Sequence, residues 1–265
     1  MPSHAPRTPA LMQAHGTPQV SLRRCSVREQ GSCLPEDRIV GGEDAAPGEF
    51  PAIVSLQVDE SHNCGANVLD EQWVLTAAHC VDVDTSQLSV LAGTVNISSG
   101  GTRHRANKVV VHSRYSPVDS WVNDVALIRV EPALVIDNVT VAAARLPEQW
   151  EDTPAGTPAV IIGWGRLWQN GDLPDMLQKV DTAIVDQQEC FDVYAYNYTI
   201  HDSQICSEVP LPDKGACNGD SGSPMLVDGV VVGLASWQQG CALEGYPTVY
   251  TRVSHFVDWI EENKK

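Results

Sequence analysis

Gly215-Ala-Cys-Asn-Gly-Asp-Ser-Gly-Ser-Pro224 is the stretch around which the chain is organised, with Ser221 at its centre. A serine boxed by Gly219 and Gly222 suits neither a helix nor a packed core, because glycine permits sharp turns and leaves room beside its neighbours. It also lets backbone N–H groups point into a cavity instead of joining a ladder. Asp220 is an acid at the turn itself, and burial would oblige it to find a partner. Taken alone the run also suits a surface turn, so its meaning depends on what the rest of the chain supplies.

The chain has 265 residues, 43% hydrophobic and 19% charged, enough for one domain with a sizeable core or two small fused lobes. It contains no apolar run long enough to be a membrane-spanning helix. A formal net charge of −17 repels phosphate backbones and argues against nucleic acid as a partner. Eight cysteines with no C-x-x-C pair point to disulfides and an oxidising compartment, not to zinc or thioredoxin-type chemistry. The sequons at Asn96, Asn138 and Asn197 agree with secretion. Residues 1–24, however, show no apolar core of signal-peptide type. A misassigned start or a replaced leader is the expectation.

Residues 1–38 are rich in Pro, Ser, Thr and Arg and have no periodicity, so they read as a flexible pre-segment. They hold five Arg and three acids, leaving 12 of the 17 basic and 31 of the 34 acidic residues to the body. From Ile39 the chain changes character. Short β-rich runs at 52–58, 73–76, 88–92, 108–112, 126–130, 159–163, 178–185, 224–226, 230–235 and 248–252 are separated by Gly, Pro, Asn and Asp turns. Strands of that length without intervening helices predict an all-β sandwich or barrel. One helix is predicted at the C-terminus, where Val253, Phe256, Val257 and Ile260 share a face. The loop-like stretch 131–154 is the natural seam between two lobes.

Ser221 needs a base before its hydroxyl can act as a nucleophile. Thr76-Ala-Ala-His-Cys80 places His79 after a strand-like run, among small residues that leave an imidazole free to face a cleft. Asn123-Asp-Val-Ala-Leu127 places Asp124 directly ahead of an apolar strand. Separately, a histidine beside a cysteine suits a structural role, and Asp124 suits a strand-end turn.

Together, in the order His79, Asp124, Ser221, these residues resemble a trypsin- and chymotrypsin-like serine protease. The resemblance runs from Ile39 to the C-terminus. It rests also on Arg38-Ile-Val-Gly-Gly42, Gly163-Trp-Gly165, Gly219-Asp-Ser-Gly222, Ser236-Trp237 and the segment 247–250. It implies two packed antiparallel β-barrels at 39–146 and 147–250, followed by a C-terminal helix at 251–265. It implies a triad in which Ser221 attacks, His79 relays the proton and Asp124 orients the imidazole. The amides of Gly219 and Ser221 would form the oxyanion hole, Ser236 would support Asp124, and Ser236–Gln238 would pair with extended substrate.

The resemblance further implies a zymogen, residues 1–38 being the pro-segment. Cleavage at Arg38-Ile39 by a trypsin-like activator would free an amine that pairs with Asp220. The implied disulfides are Cys64–Cys80, Cys190–Cys206 and Cys217–Cys241. Cys25 and Cys33 are left to close a loop of their own, since Ala142-Ala-Ala-Arg-Leu146 offers no cysteine for a tether.

The resemblance also implies a specificity pocket formed by Gly215, Asn218, Ser236, Trp237, Gln238 and Thr248. Gly215 provides no carboxylate to pair with Arg or Lys, so cleavage after basic residues is disfavoured. Gln238 and Thr248 should narrow the pocket, which resembles the elastases and predicts small or medium aliphatic residues before the scissile bond. A chymotrypsin-like preference for large residues is the alternative, because Gly215 favours a deep neutral pocket and Gln238 could swing aside. Ser223, where the family usually has glycine, should leave the triad undisturbed. No metal or cofactor is expected, since 93–108 lacks calcium-binding carboxylates. Arg103-His-Arg105 reads as a solvated loop. His62, His112, His201 and His255 have no spacing that suggests ligands. The expectation is a secreted monomer acting on proteins and peptides, subject to protein protease inhibitors, with no membrane partner. The rivals are a non-catalytic homologue serving as a binding module and a disulfide-rich adhesion module.

Overall fold

The computed structural model describes residues 42–208 and 215–265, all within the compact unit Glu36–Lys265. A two-residue strand, β1 (Glu43–Asp44), leads into β2 (Ile53–Val58), β3 (Ser61–Val68), β4 (Trp73–Thr76), β5 (Leu88–Ala92), β6 (Thr102–Val111) and β7 (Ala126–Glu131). Strands β2 to β7 close into an antiparallel barrel in the order β2-β3-β4-β7-β6-β5. A connection without regular structure leads to β8 (Pro158–Gly163), β9 (Gln178–Ile184), helix α1 (Gln187–Tyr194), β10 (Gln204–Glu208), β11 (Pro224–Val227), β12 (Val230–Trp237) and β13 (Thr248–Arg252). These strands run β9-β10-β13-β12-β11-β8, and a β8–β9 pairing closes the second barrel. Helix α2 (Val257–Asn263) ends the chain.

The period of two in a strand explains how each barrel packs. In β9, Gln178, Val180, Thr182 and Ile184 are buried while the residues between them are more exposed. In β4 all four residues are buried. Val74 points into the first barrel beside Leu56 and Ile128. Trp73 and Leu75 point out and are covered by Leu234, Phe256 and Ile260 of the second barrel and the C-terminal segment. Each side chain of this size contributes roughly 1.5–3 kcal/mol when fully buried. The C-terminal helix is therefore part of the seam between the barrels.

Each of the ten anticipated runs falls on a strand. Strands β1, β3 and β10 were not anticipated, because Glu-Asp, Ser-His-Asn-Cys-Gly-Ala-Asn-Val and Gln-Ile-Cys-Ser-Glu are poor in β-branched residues. Their places are set by the neighbours they pair with. Strand β6 begins at Thr102, so Arg103-His-Arg105 is not a loop: His104 is buried, and Arg103 bonds Gln57 and Ser89 across the barrel. Helix α1 corrects the expectation of no internal helix. Its signal lay in Asp186-Gln-Gln-Glu189, since the Asp186 carboxylate accepts the amides of Gln188 and Glu189.

Candidate active site

His79 sits in a short 3-10 turn, Ala78–Val81, immediately after β4, and its neighbour Cys80 is bonded to Cys64 of β3. The first barrel thus anchors the histidine on both sides. Asp124 lies two residues before β7 and is fully buried. Its Oδ2 is 2.7 Å from His79 Nδ1, and its Oδ1 accepts the His79 backbone N–H at 3.0 Å. The second barrel holds the same aspartate from the other side. Ser236 Oγ, in β12, donates to Asp124 Oδ2 at 2.6 Å, and Thr251 Oγ1, in β13, donates to its carbonyl at 2.7 Å. The aspartate is thus held by donors from both barrels at once.

Ser221 lies on the turn between Cys217 and β11, alongside His79 in a cleft of 280 Å³. The turn uses its amides selectively. Asp220 N–H donates to Cys217 O, Gly222 N–H to Ala235 O and Ser223 N–H to Asp220 O. The amides of Gly219 and Ser221 have no acceptor among the described residues. Gly219 reaches this geometry at φ +101°, a region that costs other residues. Gly222 is demanded for space as well, because a Cβ there would stand 2.5 Å from Gly65 O.

Asp220 is buried beneath this turn and accepts the amides of Gly165 at 2.8 Å and Cys217 at 2.9 Å. Burial pushes its pKa up to about 6 against these two bonds. The Gly163-Trp-Gly165 motif now has a steric cause. A Cβ at either glycine would stand 2.1 to 2.2 Å from an Asp220 carboxylate oxygen.

His62 is a site residue that its spacing did not reveal. Its ring bridges Ser55 Oγ, 2.8 Å from Nδ1, and Gly219 O, 3.0 Å from Nε2. Burial lowers its pKa to about 4, so the ring is neutral at pH 7, donating from Nε2 and accepting at Nδ1. Trp121 was missed as well. It stacks on Trp237 at 5.8 Å and lines the cleft with His79 and Ser221. Its φ of +53° is unusual for a bulky residue, as is often found where a backbone is shaped for function.

The six residues expected to form the specificity pocket do not line one space. Asn218, Ser236, Trp237 and Gln238 line the cleft with Ser221. Gly215 and Thr248 line a separate cavity of 490 Å³. Gln238 Nε2 donates to Ala216 O at 3.2 Å, joining the two walls of the slot. The Cys217–Cys241 disulfide ties these walls covalently, and Cys190–Cys206 ties α1 to β10. Closing a loop of 24 residues contributes roughly 3–4 kcal/mol. Ser223 is fully buried, with its Oγ lacking a partner among the described residues. The group Cys64, His79 and Cys80 has a metal-like spacing, but both sulfurs are in the disulfide. Arg38, Ile39, Cys25 and Cys33 lie outside the described residues.

Such an arrangement is suited to acyl transfer: a hydroxyl beside a carboxylate-held imidazole, with two open amides where negative charge would develop. Comparison with known proteins leads to the same class. A family model described as Trypsin matches residues 39–260. The chain is 39% identical over 230 residues to Trypsin Blo t 3 of Blomia tropicalis, covering 85% of this chain and 86% of that protein. It is 39% identical over 227 residues to Chymotrypsin-2 of Vespa crabro, covering 85% of this chain and 100% of that protein. Trypsin-1 of Astacus astacus is 38% identical over 240 residues, with 85% of this chain and 99% of that protein covered. The chain belongs to the trypsin family. It is a serine endopeptidase of chymotrypsin-like fold that acts on proteins or peptides.

Proposed function

We propose that this chain is a secreted serine endopeptidase made as a zymogen, with preference for small or medium aliphatic residues before the scissile bond. The observation that carries the catalytic reading is the pair of open amides at Gly219 and Ser221, beside an imidazole held by Asp124. Ser221 Oγ attacks the carbonyl carbon while its proton passes to His79 Nε2. The oxyanion is received by the two amides, and Asp124 stabilises the imidazolium. The leaving amine then takes the proton from His79, and water repeats the sequence to release the acyl group.

Activation is read from Asp220. It is a buried carboxylate with no cation against it among the described residues, and the amine freed at Arg38-Ile39 would supply one. Export is supported by three disulfides, which persist in oxidising compartments. The preference for small residues rests on the Gln238–Ala216 bond across the slot. A chymotrypsin-like preference is the second reading, favoured by the 490 Å³ of space at Gly215 and Thr248.

The test is to treat the purified chain with trypsin and then with a fluorophosphonate probe. Label at Ser221 that depends on Arg38 supports the reading; no label in processed protein removes it. Rates on Ala, Leu, Phe and Arg p-nitroanilides then separate the two preferences, fastest turnover on Ala or Leu being expected. A Phe substrate turned over fastest would establish the second reading.

A further inference from the structure

The three sequons meet different surroundings once the chain has folded. Asn96 is half-buried: its Oδ1 accepts the Ser98 amide at 2.8 Å, and its Nδ2 lies 3.6 Å from Met176 Sδ. Its backbone also forms a bridge with Met176. A sugar on Nδ2 would have to break this packing. Asn138 and Asn197 are exposed, with no side-chain hydrogen bond among the described residues. Both could carry a bulky group outward at no cost to the fold.

Asn197 has a second property. It lies just after α1, in a segment fixed to the cleft wall by its neighbours. Tyr198 packs on Trp237 at 5.0 Å, and the Thr199 amide donates to Ser120 Oγ at 2.9 Å. Ser120 precedes Trp121, and Trp121 and Trp237 both line the cleft that holds Ser221. The adjacent Tyr196 is 95% exposed, so nothing in the fold covers this corner. Asn138 lies in a turn organised by Asp137, away from the residues that line the cleft.

We propose that Asn197 carries an N-linked glycan at the rim of the cleft, and that this glycan screens out bulky protein substrates while admitting short peptides. Asn138 is modified without that effect, and Asn96 stays bare. The step is ordinary glycosyl transfer. Asn197 Nδ2 bonds to C1 of the sugar, loses a proton, and the lipid diphosphate of the lipid-linked oligosaccharide donor leaves. The inference rests on the reading of this chain as a secreted protease.

The full chain, secreted from a eukaryotic host and activated, is mapped by mass spectrometry before and after peptide N-glycosidase. It is then assayed on casein and on a short p-nitroanilide. Glycan is expected at Asn138 and Asn197 and not at Asn96. Asn197→Gln and Thr199→Ala, which remove the acceptor and the sequon hydroxyl separately, should each raise casein hydrolysis several-fold. Hydrolysis of the anilide should stay unchanged, and Asn138→Gln should alter neither. A bare Asn197, a glycan at Asn96, or an unchanged ratio of the two activities would overturn the proposal. Failure of the protease reading is distinct, since it would abolish anilide hydrolysis in every form.

Discussion

Asp124 holds His79 twice: Oδ2 stands 2.7 Å from the ring Nδ1, and Oδ1 accepts the backbone N–H of the same residue at 3.0 Å. The carboxylate therefore sets both where the histidine sits and which way its ring faces. Asp124→Asn keeps the shape and replaces one acceptor with a donor, which favours the wrong tautomer. The expected result is a fall in kcat of about 10⁴ with KM little changed. Steady-state kinetics with a folding control by circular dichroism would check it. Near-parental kcat would show that the ring is oriented by something else.

Gln238 reaches Ala216 O through one hydrogen bond from a flexible side chain, and the proposed preference for small residues rests on that bond. Gln238→Gly removes that bond and a side chain that lines the cleft with Ser221. The ratio of kcat/KM for Phe to that for Ala should rise by at least about tenfold. An unchanged ratio would mean that Thr248 sets the depth alone.

Asp220 predicts a pH dependence with a definite sign. Burial pushes its pKa in the folded chain up to about 6, from 3.8 for an ordinary aspartate. Between these values the folded state binds the proton and the unfolded state does not. Stability of the uncut chain should therefore fall as pH rises from about 4 through about 6, by about 3 kcal/mol from this group. Thermal unfolding of Arg38→Ala at several pH values, with and without Asp220→Asn, isolates the component. After cleavage at Arg38-Ile39 a cation would keep the carboxylate ionised. The acid-side dependence should then reverse, stability being lost as pH falls below about 4, and activity should decline as the amine deprotonates in alkaline solution.

Gly165→Ala places a Cβ 2.2 Å from Asp220 Oδ2 and 2.3 Å from its Cγ. Neither group can move freely, since Asp220 is buried and bonded on both oxygens. Overpacking of this kind costs about 1–3 kcal/mol. Loss of melting temperature together with reduced kcat is expected, because Asp220 adjoins both open amides. A stable, fully active variant would exclude Asp220 as the support of the turn.

Local order was legible wherever a short segment carries its own physical signal. Ten strand runs, the glycine-boxed Ser221, the small residues around His79 and the position of Asp124 before an apolar strand could all be read along the chain. So could the charge balance and the number of cysteines. Strand β3 and helix α1 were harder. One is held by its partners in spite of weak propensity, and the other rests on a single N-cap, Asp186, ahead of only eight helical residues.

Tertiary structure decided everything that depends on distance between segments remote in sequence. It brought Ser236 and Thr251 of one barrel onto Asp124 of the other, and set His62 against Gly219. It also placed Gly163 and Gly165 around the Asp220 carboxylate and bonded Gln238 to Ala216 O. The physical reason is the same in each case. Residue type states what a group can donate, accept or fill, while barrel closure alone determines which partner stands within 3 Å or so of it.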